Sequence, residues 1–326
     1  MRVAVTGAAG FVGSEVVQCH LAAGDSVRAL SRRPLDVPLA QVALGDLRDE
    51  AYVYESLRGV DVVQHIAARV GAVGSMADFI EDNVRVTETV LRAAAAGGVR
   101  RVVLCSSPSV VFAGESIRAG DESLPLSPSP RSAYSVSKAR AEQVATELGE
   151  ELGLHLVILR PHLVWGPGDR HLLPDLLRLG RLGFLPRPGS HDPLVDPTHV
   201  TDVAAAHLLA AAYTEEVAKG TIRTFFITGG APVPVWSTIA ELIEAASGRR
   251  LRPRTVPVPV VVGASWVADG LNWASRGRIT SPLSRFAIHS ILCDQWFSID
   301  LARRELGYSP RMDLARGLEE LRATRR

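Results

Sequence analysis

The sequence predicts an α/β chain, a doubly wound parallel sheet with a smaller C-terminal substrate domain. Three observations carry this. Short β-branched runs alternate with helix-length segments through the first half, the pattern of successive β-α-β units. The first run, Val3–Thr6, leads straight into Gly7, Gly10 and Gly13 and then a helical segment. Finally, 326 residues with 47% hydrophobic and 22% charged content can bury a large core, as one large domain or two.

Taken in order, Val3–Thr6 is the first strand. Phe11–Ala23 is the first helix, ended by Gly24. Ser26–Leu30 is the second strand. Val42–Leu44 is a short third strand, followed by a helix capped near Asp46. Val60–Ile66 is the fourth strand, and Asp78–Ala96 a long alanine-rich helix. Arg101–Ser106 is the fifth strand, Ser132–Leu152 a second long helix, and His155–Leu159 the sixth strand. The second half is less regular. Helices are expected near 175–182, 199–212 and 237–246, with a strand at Arg223–Thr228. Proline-rich stretches at 124–130, 186–197 and 253–259 read as loops or domain crossings. Residues 1–163 with about 201–230 form the expected nucleotide-binding domain. Residues 164–200 with 231–326 form the expected substrate domain. All five tryptophans lie after the sixth strand, as core aromatics of the second domain or as the lining of an apolar pocket.

Composition narrows the function. With 36 basic and 35 acidic residues the formal charge is +1, so a nucleic-acid surface is not expected. Three scattered cysteines make neither a disulfide framework nor a zinc site, and a cytoplasmic location is the default. The start reads as a strand rather than a signal peptide. No apolar run is long enough to span a bilayer. The nearest is 256–264, whose start prolines break; the longer segment 256–273 reads as a buried helix over the pocket, with contact to a membrane surface as the other reading. The nine histidines show no metal spacing.

Several motifs carry chemistry. Glycines at 7, 10 and 13 permit a tight turn, close approach of a pyrophosphate and close helix–strand packing. The phosphates would then sit at a helix N-terminus, on Phe11, Val12 and Gly13. The second strand ends in Ser31-Arg32-Arg33 with no acid until Asp36. An arginine there fits a ribose 2′-phosphate, so NADP(H) is favoured over NAD(H). Asp46 could accept from an adenine amino group or cap a helix. Ser106 and Ser107 end the fifth strand, where a hydroxyl can donate to a developing oxyanion. Tyr134 and Lys138 stand one helical turn apart. An ammonium there would lower the phenol's pKa toward working pH for proton exchange with a carbonyl oxygen. His65 reads as structural. His162 either faces the nicotinamide or is simply packed. His199 and Asp202 read as caps of a helix.

Together Thr6-Gly-x-x-Gly-x-x-Gly13, Gly45-Asp-Leu47, His65-Ile-Ala-Ala68, Asn83, Ser106-Ser107, Tyr134-x-x-x-Lys138 and Leu159-Arg-Pro161 through Trp165-Gly-Pro-Gly-Asp169 resemble the extended short-chain dehydrogenase/reductases, which carry a Rossmann domain. Within that family the chain resembles the 3β-hydroxysteroid dehydrogenase branch, and most the bacterial reductases of olefin biosynthesis acting on 2-alkyl-3-oxoalkanoates. The late segments 282–286 and 302–308 add to this likeness. The resemblance implies Tyr134 as proton donor or acceptor, Lys138 as its electrostatic partner and ribose ligand, and Ser107 on the substrate oxygen. It also implies Ala67 and Ala68 in the cofactor cleft, Asp46 and Leu47 at the adenine, and Pro161 to Val164 at the nicotinamide. A homodimer pairing the helices of 78–96 and 134–152 is implied too. Val111-Phe112 departs from the Tyr-Gly of many sugar-nucleotide members, which fits a less polar substrate. The alternatives are a 3β-hydroxysteroid dehydrogenase, a sugar-nucleotide epimerase or dehydratase, and a non-catalytic nucleotide sensor. Catalytic residues Ser107, Tyr134 and Lys138 all being present speaks against the last.

Overall fold

The computed structural model describes residues 1–71, 74–130, 132–216, 218, 220–274, 288 and 290–325. The first half builds six of the seven strands of one sheet. Strand β1 (Arg2–Thr6) leads through the glycine turn into α1 (Phe11–Ala22). Then come β2 (Ser26–Ser31), β3 (Gln41–Leu44), α2 (Glu50–Leu57), β4 (Val62–His65) and α3 (Met76–Ile80). One π-turn, Glu81–Arg85, separates α3 from α4 (Val86–Ala96), where the sequence led us to expect one unbroken helix. The wider turn directs Asn83 inward to the loop after β4.

Strand β5 (Arg101–Cys105), β6 (Ile117–Gly120), α5 (Ala133–Leu152), β7 (His155–Pro161), β8 (Val164–Trp165), α6 (Leu172–Gly180), β9 (Leu185–Pro188), β10 (Leu194–Val195) and β11 (Thr198–His199) follow. The chain ends with α7 (Val200–Glu216), β12 (Ile222–Ile227), β13 (Val233–Pro234), α8 (Val235–Ser247), β14 (Pro253–Val256), α9 (Val258–Ala274), β15 (Gln295–Phe297), a π-turn at Ala302–Leu306 and a helix numbered here α10 (Leu314–Ala323).

The main sheet has seven parallel strands in the order β12-β7-β5-β4-β1-β2-β3. Its order reverses between β1 and β4, the place where such sheets open a crevice for ligands. Near-continuous valine and isoleucine runs explain why both faces are covered. Val3, Val5, Val103 and Leu159 pack against Val16 and Val17 of α1 and Ala206 and Ala210 of α7. On the other face Val63, Val102 and Leu156 pack against α2, α4 and α5. A separate cluster of Trp165, Leu179, Ile243 and Leu321 joins α6, α8 and α10.

Several expectations in the second half are corrected. Pro253–Val256 is a strand paired in parallel with β9, not a loop, because a two-stranded edge leaves room for proline's missing N–H. The expected buried helix at 256–273 is instead α9, with Val260, Val267 and Leu271 exposed and Trp266 60% accessible. Trp165 and Trp236 are buried, whereas the side chain of Trp273 lies outside the described residues. The segment 282–286, which carried part of the resemblance, also lies outside them. Asp202 does not cap α7. Its carboxylate accepts from the N–H groups of Arg311 and Met312, pinning the C-terminal segment. Among the described residues no helix is long and apolar enough to cross a membrane.

Candidate active site

The cleft begins at the glycine turn. Gly7 sits at φ +68°, and a Cβ there would lie 2.8 Å from the backbone of Ala67. At Gly13 a Cβ would lie 2.1 Å from the Gly7 carbonyl oxygen. Gly10 N–H closes the turn on Gly7 O at 2.8 Å. No side chain caps α1, so the first-turn N–H groups of Phe11, Val12 and Gly13 stay open toward an anion. The loop of Gly166–Asp169 folds back over this turn, with the Phe11 ring 3.9 Å from the Cβ position of Gly168.

Beside the turn a polar chain fixes the loop that carries Ala67 and Ala68. Thr6 Oγ1 accepts from Ile66 and Ala67 N–H, both at 3.1 Å, so its proton goes to His65 Nδ1 at 2.9 Å. Thr87 Oγ1 donates to Asn83 O at 2.6 Å, so it accepts from His65 Nε2 at 3.0 Å. Both bonds require a neutral His65 carrying its proton on Nε2. Burial first, and then the charge on Lys138, hold its pKa down at about 3. Asn83 accepts from Arg69 N–H and donates to Arg69 O and to Ser137 Oγ, tying this loop to α5. The sequence marked Asn83 only through the resemblance; its partners lie on other elements.

At the adenosine end Ser31 is buried and accepts from Arg33 N–H at 3.2 Å. The Arg33 guanidinium reaches Ala9 O at 3.3 Å, over the glycine turn. Arg32 is exposed and close enough to Asp46 to favour its ionised form. The hydrogen bonds from Arg48 are the main cause that holds the Asp46 pKa down at about 2. Asp46 is not the helix cap. Asp49 takes that role, accepting from Ala51 and Tyr52 N–H. Leu47 packs at the edge of the α2 cluster.

At the carboxyl edge, α5 starts on Ser132, whose hydroxyl accepts from Ser135 N–H at 3.0 Å. Tyr134 lies in its first turn, and Lys138 follows one turn later. The Tyr134 phenol lies near enough to the Ser107 hydroxyl for that hydroxyl to favour its ionised form. The expected lowering of the phenol by Lys138 is not what the structure holds. Burial raises the Tyr134 pKa above its usual value, the Cys105 thiol adds to that, and the Ser107 hydroxyl opposes it. Lys138 is 3% exposed and donates from Nζ to Cys105 O at 2.6 Å. Burial lowers its own pKa, opposed by Cys105 and by Glu142, which stands one turn further along. Glu142 is itself held by Arg160 through bonds of 2.7 and 3.1 Å.

Pro161 ends β7, and Val164 opens β8, which pairs with β11. Between them Leu163 takes φ +41°, costly for a branched residue. It stays 37% exposed, and the apolar side chains of Val70 and Met76 are exposed too. Ser106 is buried with no hydrogen-bond partner for Oγ among the described residues. The edge thus places a phenol and a hydroxyl together near a cradle for a pyrophosphate, a combination able to hydrogen-bond one carbonyl oxygen from two sides.

The description "NAD dependent epimerase/dehydratase family" matches residues 3–224. The chain belongs to that family. It is an NAD(P)-dependent oxidoreductase of the extended short-chain dehydrogenase type. It is 33% identical to 2-alkyl-3-oxoalkanoate reductase of Shewanella oneidensis, over 98% of this chain and 85% of that one. The reductase of the same name from Stenotrophomonas maltophilia is 32% identical over 99% of both chains. A 3 beta-hydroxysteroid dehydrogenase/Delta 5-->4-isomerase of Mycobacterium tuberculosis is 30% identical over 98% and 89%. Among solved structures, MoeE5 with UDP-glucuronic acid and NAD superposes with a TM-score of 0.73 at 29% identity, covering 98% and 97%. DesIV, a dTDP-glucose 4,6-dehydratase of Streptomyces venezuelae with NAD bound, gives 0.73 at 28%, covering 99% and 98%.

Proposed function

We propose that this family member is an NADPH-dependent ketoreductase acting on β-keto acids that carry long alkyl chains, of the 2-alkyl-3-oxoalkanoate kind. The observation that carries the reading is the Ser107 hydroxyl near the Tyr134 phenol, where β5 and α5 meet at the sheet's carboxyl edge, on a chain whose glycine turn is left uncapped. The cradle fits a dinucleotide, because Gly7 and Gly13 leave no room for a Cβ and Phe11, Val12 and Gly13 offer free N–H groups. Ala67, Ala68, Pro161 and Val164 would line its nicotinamide end, and Asp46 and Leu47 its adenine end. Ser31, Arg32 and Arg33 would hold the 2′-phosphate. When bound there, the reduced nicotinamide supplies hydride to the ketone carbon.

The chain's own residues do the rest. Ser107 donates to the ketone oxygen and Tyr134 passes it a proton, leaving a phenolate that solvent reprotonates. A phenol whose pKa is raised is protonated at neutral pH, which is the form reduction consumes. Lys138 would hold the ribose. Exposed apolar Leu163, directly after the proposed nicotinamide-lining Pro161 and His162, is in keeping with an apolar substrate. A 3β-hydroxysteroid is the second reading, favoured by the Mycobacterium relative. We place the enzyme in the cytoplasm, in keeping with three unbridged cysteines, as a homodimer pairing α4 and α5. Light scattering tests the dimer.

The test is dihydronicotinamide consumption with NADPH and NADH against 2-alkyl-3-oxoalkanoates, 3-ketosteroids and plain ketones. Turnover confined to the β-keto acids supports the reading. The Tyr134→Phe variant should bind cofactor normally and lose about 10²- to 10⁴-fold in turnover. Wild-type turnover in that variant would refute the mechanism.

A further inference from the structure

His162 is engaged too specifically for a residue that only fills space. Its Nδ1 lies 2.5 Å from Asp196 Oδ1, and Asp196 Oδ2 accepts from Phe297 N–H at 2.8 Å. Asp196 is 1% exposed. The imidazole also stands edge-on to Phe297, centroids 5.1 Å apart, and Phe297 stacks on Phe226. The backbone is held as firmly. His162 N–H donates to Ile227 O, and His162 O accepts from Thr198 N–H and Thr198 Oγ1. Locked this way, the ring spends Nδ1 on the carboxylate. Its Nε2 makes no hydrogen bond among the described residues.

Strand geometry places this ring beside the reacting groups. Arg160 faces α5 through Glu142. Side chains alternate along a strand, so His162, two residues on, faces the same side, which carries Tyr134 and Lys138. Phe297, which the ring touches, packs in turn with Ala139 of α5 and with Val110 and Val111 after Ser107. In the β5–β7 register Cys105 lies opposite Leu159, and Ser106 N–H donates to Leu159 O. Ser107 and Pro161 each stand two residues beyond that pair, at the same edge of the sheet. His162 is the next residue along that edge.

We propose that His162, backed by Asp196, forms a carboxylate-binding subsite that recognises the acid group of the substrate. This rests on the β-keto acid reading above. In such a substrate the carboxylate carbon is two carbons from the ketone carbon. With the ketone oxygen between Ser107 and Tyr134, the carboxylate falls at the adjoining position on the edge. An Nε2–H there donates a charge-assisted hydrogen bond, while Asp196 behind the ring balances its charge and fixes its orientation. Arg160, on the same face, spends Nε and Nη2 on Glu142 and leaves Nη1 without a hydrogen-bond partner among the described residues. Asp196 touches no substrate atom and acts as a positioning residue.

The experiment compares a 2-alkyl-3-oxoalkanoate with its methyl ester, at saturating NADPH, in the wild type, His162→Asn and Asp196→Asn. The wild type should prefer the acid. His162→Asn should lose about 10- to 100-fold more in kcat/KM on the acid than on the ester, chiefly through KM. Asp196→Asn should lose less, in the same sense. Unfolding midpoints with cofactor bound show whether each variant is folded. Equal loss on acid and ester would make His162 a structural tie and overturn the subsite. An acid preference unchanged in His162→Asn would overturn it as well, while leaving the ketoreductase reading standing. Absence of wild-type turnover on every β-keto acid would sink that reading and the subsite together.

Discussion

Lys138→Met separates what the fold needs from what the proposed chemistry needs. The ammonium is almost fully buried and makes one bond of 2.6 Å to Cys105 O. Glu142, its nearest acid on α5, is already neutralised by Arg160. Burial works against the charge, which is why the lysine's pKa is lowered. Methionine keeps most of the stem and removes the charge. Its cost is one charge-assisted hydrogen bond, about 1.5–3 kcal/mol, left unmade at a buried carbonyl. Its gain is relief from burying an ion, itself several kcal/mol. The two are of similar size, so the net change in stability should stay within about 2 kcal/mol. Turnover should fall by about 10²- to 10³-fold, the usual cost of deleting one preorganised electrostatic group. Urea unfolding beside NADPH-dependent turnover measures both. Wild-type turnover, or an activity loss matched by a large loss of stability, would refute the assignment.

Three further outcomes follow from the same structure. Gly13→Ala pushes a methyl into the Gly7 carbonyl oxygen and should cost about 1–3 kcal/mol of stability while weakening NADPH binding, read by nucleotide fluorescence. Removing both guanidinium groups, in Arg32→Ala with Arg33→Ala, should cut the NADPH-over-NADH ratio of kcat/KM by about 10- to 100-fold; an unchanged ratio makes them surface charges. His65 and His207 are buried with pKa values of about 3, burial being the main cause for each, so the unfolded chain binds more protons than the folded one below its ordinary value near 6.5. Stability is therefore full above that pH and falls as pH drops toward 3; from pH 7 to 5 each histidine should cost about 2 kcal/mol, and His65→Asn should flatten that slope in denaturant titrations.

How much of this was legible depended on whether a residue's partner lies in its own element. The glycine turn, strands β1 to β5 and β7 of the main sheet and the Tyr134–Lys138 spacing are local, and periodicity with backbone sterics reaches them, whereas β6 was not foreseen. The Tyr134 pKa is not local. Four-residue spacing put an ammonium near the phenol, but the Cys105 carbonyl, from a strand 33 residues upstream of Lys138, captures that ammonium instead. Asp202 shows the same limit. An acid in a first turn reads as a cap, yet its partners are Arg311 and Met312. His162 could be read only as facing the cofactor or packed, because Asp196 and Phe297 arrive from segments that share no pattern with β7. The apolar run of α9 read as buried for a related reason: composition measures how much a segment can bury, whereas neighbours decide how much it does. Residues held by long-range polar partners at this edge, Asn83, His162 and Asp196, are thus where the structure adds most to the sequence. Of these, His162 stands next to the proposed chemistry with a nitrogen to spare. A chain that needed only a tie between β7 and β15 could have made it with apolar contacts, since burying a carboxylate opposite an imidazole costs more than burying two hydrocarbons. That expense is why the acid-against-ester comparison bears on function rather than on folding.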